Sequence, residues 1–247
     1  MGQSVQMDMS FYYSMDVTDD DGAMKTIATT VDRFKMKMGV AGMNIDIDTD
    51  KPMPDFGETK DGKNPLKMLN GIFSAIKGQK FTMKVDAEGK VQEITGFENM
   101  ANTIVDSMSL DEEQSRQMKE KFSQQFNAEK MKGQFARMFY IFPNKEVKVG
   151  DSWQKSSDIS GEMGGKYNST YKVTDIEGDM VTLDENTKVE SGGQEKMNLK
   201  GDITGTIVVD SKLGLVVNAD QDMKMTMQAA GKDMEIKAKT KIKGKAR

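Results

Sequence analysis

The sequence contains no cysteine and no histidine. Without cysteine, disulfides and thiolate chemistry are excluded, and the chain suits either redox compartment. Without histidine, the commonest general base and the commonest metal ligand are both missing. Catalysis would have to rest on carboxylates, Lys, Ser, Thr or Tyr. Long apolar runs are also missing, so no transmembrane helix is expected. Proline is scarce, with 4 residues, and tryptophan occurs once. The net charge of −4 over 247 residues argues against a general nucleic-acid binder. No signal-peptide pattern opens these residues. They begin almost directly in a strand, and a leader, with a first strand, is expected upstream. The other reading is a cytoplasmic protein that starts here.

Methionine is in excess, with 23 residues against 5 tyrosines. Its flexible thioether fills irregular apolar space. Much of it falls on strands. From Val5 to Thr18 apolar and polar residues alternate: Val5, Met7, Met9, Phe11, Tyr13, Met15 and Val17 face one way, with polar or half-polar residues between. Period two means a strand with one dry and one wet face. The pattern returns at Leu215, Val217, Ala219, Gln221, Met223, Met225, Met227 and Ala229. These runs greatly exceed the typical strand of about 5–6 residues.

Between them the chain reads as a meander, then helices, then a second meander. Asp19-Asp20-Asp21-Gly22 is a turn signal, Phe34, Met36 and Met38 sharpen a second strand, and Met43, Ile45 and Ile47 a third. Residues 51–63 read as a loop. Asn64-Pro65 caps a helix through Ile76. Phe81 to Ile94 reads as a hairpin around Asp86-Ala87-Glu88-Gly89. Three further helices are expected between Phe97 and Ile141, one opened by Ser109 and Glu112 at capping-box spacing. Strands follow near 147–159, 166–176, 180–190, 194–210, 215–229 and 232–243. The sum is an α+β fold in one domain spanning 1–247. About eleven strands form a long, curved antiparallel sheet, an unclosed barrel wrapped on about four helices, with a helical insertion at about 97–142.

The run Phe81-Thr82-Met83-Lys84-Val85-Asp86-Ala87-Glu88-Gly89-Lys90-Val91, with Gly96-Phe97-Glu98, resembles a segment of an uncharacterised family of Bacteroidota envelope proteins. So does Phe142-Pro143 with Val147-Lys148-Val149-Gly150-Asp151-Ser152-Trp153. The resemblance covers most of the chain from about residue 60. That family in turn is similar to the periplasmic lipoprotein-carrier fold, a half-barrel closed on one side by helices over an apolar cavity. The resemblance implies secretion to the periplasm or cell surface, and lipid anchoring where a leader and anchor cysteine precede the strand. It supplies no catalytic residues.

Several clusters have a functional and a structural reading. Met7, Met9, Phe11, Met36, Met38, Met223, Met225 and Met227 line the expected dry face, as do Met15 and Met234. They form either an adaptable lining for a lipid or other apolar ligand, or plain core. Asp46, Asp48 and Asp50 alternate on one strand, and Asp19, Asp20 and Asp21 share a turn. Either set offers oxygen ligands to Ca²⁺, but neither matches the twelve-residue calcium loop, so a solvated surface is favoured and no metal or cofactor is expected. Lys237, Lys239, Lys241 and Lys243 share one face of the last strand. They either dock on anionic lipid headgroups or protect an edge strand from aggregation, and the edge reading is favoured. Ser152 has no base to activate it, and Trp153 reads as a core or rim anchor. Asn168-Ser169-Thr170 matches a glycosylation acceptor and carries no weight.

The expected function is therefore non-catalytic: a periplasmic or surface protein, monomeric, that binds a lipid or lipidated ligand under its curved sheet, with peripheral membrane association. The alternative is a structural or interaction protein of the cell envelope with a filled core and no ligand.

Overall fold

The computed structural model describes residues 4–40, 43–52, 76–96, 102–103, 105–106, 111–125, 128–159, 165–191, 198–229 and 232–246. The opening alternation folds as strand β1, Ser4–Asp20, which returns antiparallel as β2, Met24–Val40. A bulge between Tyr12 and Tyr13 in this pairing accommodates Asp32 and keeps Val31 and Phe34 on one face. Strands β3, Met43–Asp48, and β4, Lys80–Asp86, both pair with β2, one with each half of its length. Strand β5, Val91–Thr95, pairs with β4. Helices α1, Glu112–Gln125, and α2, Ala128–Phe139, follow. A second meander comprises β6, Ser152–Ile159; β7, Gly165–Glu177; β8, Met180–Glu190; β9, Asn198–Asp210; β10, Leu215–Ala229; and β11, Lys232–Ala246.

All eleven strands join in one sheet, in the order β5-β4-β2-β1-β11-β10-β9-β8-β7-β6, with β3 beside β2. The two meanders meet where β1 and β11 pair in parallel, from Ser4 opposite Glu235 to Met15 opposite Ala246. This seam removes an exposed edge from each meander. It also places β11 in the middle of the sheet. The edge reading of Lys237, Lys239, Lys241 and Lys243 is thereby overturned, because β10 flanks that strand on its other side.

The α+β expectation with about four helices is corrected as well. Most described residues lie in strands, and the helices of any length among them are α1 and α2. What overturns the α+β class is the length of the strands, which outweigh α1, α2 and the short helical pieces at 102–103 and 105–106. The helix expected from Asn64, apart from Ile76 at its end, and most of the one through Met100 and Met108 lie outside the described residues. So do the expected turns at Ala41-Gly42, Gly192-Gly193 and Ala230-Gly231.

Helix α2 packs on both free edges, β5 and β6, which lie at opposite ends of the strand order. The sheet must curl to bring them to one helix. Two further contacts tie the edges together. The Trp153 indole on β6 donates to the Ile141 carbonyl at 2.7 Å, just beyond α2. Lys155 on β6 pairs with Glu88, in the β4–β5 turn, at 2.9 Å. Gly89 of that turn has φ +85°, and a Cβ there would sit 1.6 Å from the Phe139 carbonyl oxygen. The turn thus presses its backbone on the end of α2, which only glycine permits.

The dry face carries four apolar clusters. Near α2, Met15, Ile27, Phe81, Met83, Ile94, Phe139 and Leu215 pack together, and Ile141, Tyr171, Val173, Leu183 and Ile207 form a second group. Toward the opposite end lie Tyr167, Val189, Leu199, Ile203 and Met225, and separately Phe34, Met36, Ile45 and Ile47.

Candidate functional site

The expected methionine lining is split by the fold. Met36 and Met225 are buried, at 6% and 4% exposure, and belong to the core. Met7, Met9, Phe11 and Met38 pack against the Phe34 cluster but stay half-buried. Met223 and Met227 do the same beside Leu199 and Ile203, with Met234 half-buried opposite Met227. Met15, by contrast, is sealed near α2 at 1%. The side chains sealed at 0–1% around Met15 and Phe139 gather at the helical end, while the methionines of β1, β2, β10 and β11 at the other end are mostly half-buried.

A polar patch adjoins these methionines on the same face. Register places Glu185 on β8, Gly205 on β9 and Gln221 on β10 side by side. Across the glycine, the Gln221 amide donates to Glu185 Oε2 at 2.5 Å, and Thr187 donates to Oε1 at 2.8 Å. Thr187 also lies 2.7 Å from Ser169 Oγ. Glu185 is only 7% exposed, so its hydrogen bonds are what make burial tolerable. The sequence carries the signal: Glu185 and Thr187 interrupt an apolar alternation of Val181, Leu183 and Val189, as Gln221 interrupts that of β10. Spacing alone marks these positions only as strand.

The acidic clusters are neutralised by cations of the chain itself. Asp48 takes both arms of Arg33, at 2.8 and 2.7 Å, with Lys35 at 3.8 Å. The Arg33 hydrogen bonds hold the Asp48 carboxyl well below the ordinary carboxylate range. Asp50 pairs with Arg33 at 3.0 Å and Lys77 at 2.6 Å, and Asp46 with Lys37 at 3.8 Å. Asp20 pairs with Lys25, while Asp21 caps the turn by accepting from the Ala23 and Met24 amides at 2.9 and 2.7 Å. Among the described residues no acidic group assembles with metal-ligating geometry. Ser152 is exposed, and Trp153 is the rim anchor described above. Asn168 accepts from Ser156 at 2.8 Å.

A groove of about 710 Å³ crosses β3, β2, β1, β11 and β10. Each strand contributes three consecutive residues: Asn44-Ile45-Asp46, Lys37-Met38-Gly39, Gln6-Met7-Asp8, Lys237-Ala238-Lys239 and Asp222-Met223-Lys224. Side chains alternate along a strand, so the central residue of each triplet and its outer pair face opposite ways. The central residues form one cross-strand row, Ile45, Met38, Met7, Ala238 and Met223, so three methionines of the expected lining border the groove. The lysines of β11 find carboxylates on the wet face of β10: Lys239 reaches Asp222 at 3.4 Å and Lys241 reaches Asp220 at 2.9 Å.

A family model described as "Family of unknown function (DUF6263)" matches residues 22–216. Neither the curated proteins nor the solved structures contain a match to this chain. No helix among the described residues is long and apolar enough to cross a membrane.

Proposed function

We propose that this chain, which belongs to the family of unknown function DUF6263, is a non-catalytic binding protein that holds a lipid or similar apolar ligand against the methionine-bearing face of its curled sheet. One observation carries the reading: Met7, Met9, Phe11, Met38, Met223 and Met227 stay half-buried on that face, while Met15, Ile27, Met83 and Phe139 near α2 are sealed. Incompletely covered apolar surface marks interaction sites, and methionine adapts its shape to an occupant. The family resemblance of the Asp86–Gly89 turn and the Trp153 segment adds an envelope location, in the periplasm or at the cell surface, to this proposal.

The test is to extract natively purified protein with organic solvent and analyse the extract by mass spectrometry, alongside titration with a fluorescent fatty acid. A co-purified apolar molecule is expected, with fatty-acid binding lost in Met223→Asp. A clean extract together with no fatty-acid binding would overturn the proposal. The burial of Met36 and Met225 favours a second reading, a structural or interaction protein whose dry face is filled. Pull-down of a defined partner by lipid-free protein supports it.

A further inference from the structure

From β8 across β9, β10 and β11 to β1, Glu185 is the one charged side chain on the dry face among the described residues. Glutamate is seldom buried without a cationic partner, and a buried carboxylate is costly unless it is paired. Glu185 is 7% exposed. Among the described residues it makes no ion pair. Lys155, on the same face of β6, is held by Glu88 at 2.9 Å. Two hydrogen bonds reach Glu185, from Gln221 and from Thr187. An ionised carboxylate offers about four lone-pair positions, so acceptor capacity remains.

Its neighbours suit a cation. Register sets the buried Tyr171 directly opposite Glu185 on β7, with Trp153 next in the same row on β6. Their ring centroids lie 6.0 Å apart, and ammonium groups are attracted to the faces of such rings. On the other side Gly205 sets no side chain between Glu185 and Gln221. The half-buried Gln221 gives its NH₂ to Glu185, which leaves its amide oxygen as a second acceptor. Apolar surface begins one row away, roughly 7 Å along the strands, where Thr187, Ile203, Met223, Ala238 and Met7 lie side by side. The last three border the groove of about 710 Å³. From β8 to β1 is four strand spacings, roughly 19 Å, a span that a long alkyl chain covers.

We propose that the ligand of this face is a long-chain primary amine, whose ammonium group binds Glu185 and the Gln221 amide oxygen while its alkyl chain lies over Met223 and Met7. The proposal rests on the apolar-ligand reading and gives that ligand a head group. An ammonium brings three donors and no acceptor, which matches a site of acceptors. It also supplies the buried carboxylate with the cation it lacks. A ligand with a carboxylate head meets repulsion at the same place.

The test is isothermal titration of the full chain with hexadecylamine and with hexadecanoate, which share a chain and differ in the head. The amine should bind about tenfold tighter or more, the scale of hydrogen bonds to a charged group. Glu185→Gln should weaken amine binding by about tenfold and leave hexadecanoate binding no weaker than in the parent, which also shows that the variant keeps its fold. Asp184→Asn removes the same charge from the exposed opposite face of β8 and should leave amine binding within about twofold. Hexadecanoate binding as tight as amine binding, a Glu185→Gln variant that holds the amine like the parent, or an equal loss in Asp184→Asn overturns the proposal and leaves the apolar-ligand reading standing. Binding of neither amphiphile overturns both.

Discussion

Asp48 shows what a single residue contributes here. It lies 9% exposed beneath a two-armed Arg33, in a row of carboxylates that would otherwise repel. Its folded pKa is lowered, chiefly by the hydrogen bonds from Arg33. A depressed carboxylate contributes stability above its unfolded value, about 3.9, and loses that contribution as pH falls toward the folded value. The protein is therefore expected to lose stability steeply as pH drops below about 4, and Asp48→Asn should flatten that part of the urea-midpoint profile. Arg33→Ala leaves the carboxylate with Lys35, at 3.8 Å, as its nearby cation and should cost about 1–3 kcal/mol near neutral pH. A variant profile parallel to that of the parent at low pH would show that Asp48 is no stabilising ion pair.

At the scale of elements, the clasp between β5 and β6 is the feature to test. Lys155 has a side chain 12% exposed, pairs with Glu88 at 2.9 Å and lies 4.2 Å over the Tyr140 ring. Glu88 is 44% exposed, so solvent screening limits the pair to about 0.5–1 kcal/mol of coupling in a double-mutant cycle of Lys155→Met and Glu88→Gln. The larger expected effect of Lys155→Met is local: faster hydrogen exchange at β6 and β5 amides, with exchange in β9 and β10 unchanged. Uniform acceleration across the sheet would mean the edges are not held by this contact. The strands beside the clasp were readable from alternation, and Gly89 from its turn. The clasp was not, because residues 88 and 155 meet only once the sheet has curled. Glu185 was visible as a polar residue in an apolar series, but its partner Gln221 depends on register across a glycine strand. The balance of helix and strand was less legible, because counting elements says little of their lengths, and strands such as the seventeen-residue β1 and β2 make the fold mostly β.

Over the whole molecule, the decisive contact is between the first strand and the last. Hairpin signals are local and mark each meander well; no local signal announces that β1 and β11 lie side by side in parallel. A terminal strand rich in lysine reads as an edge, and here it is the seam. The consequence is testable by truncation. Removing residues 232–247 from a meander's edge would fray one strand. Removing them from this sheet strips the ladders to both β1 and β10, from Ser4 to Met15 and from Asn218 to Ala229. At about 1 kcal/mol net per hydrogen bond, two such ladders rival the entire stability of about 5–15 kcal/mol expected for a domain. The truncated chain should show no cooperative urea transition by circular dichroism, and the freed edges of β1 and β10 should drive aggregation. If it instead unfolds cooperatively at the parental midpoint, the two meanders are independent units and the parallel seam is not what joins them.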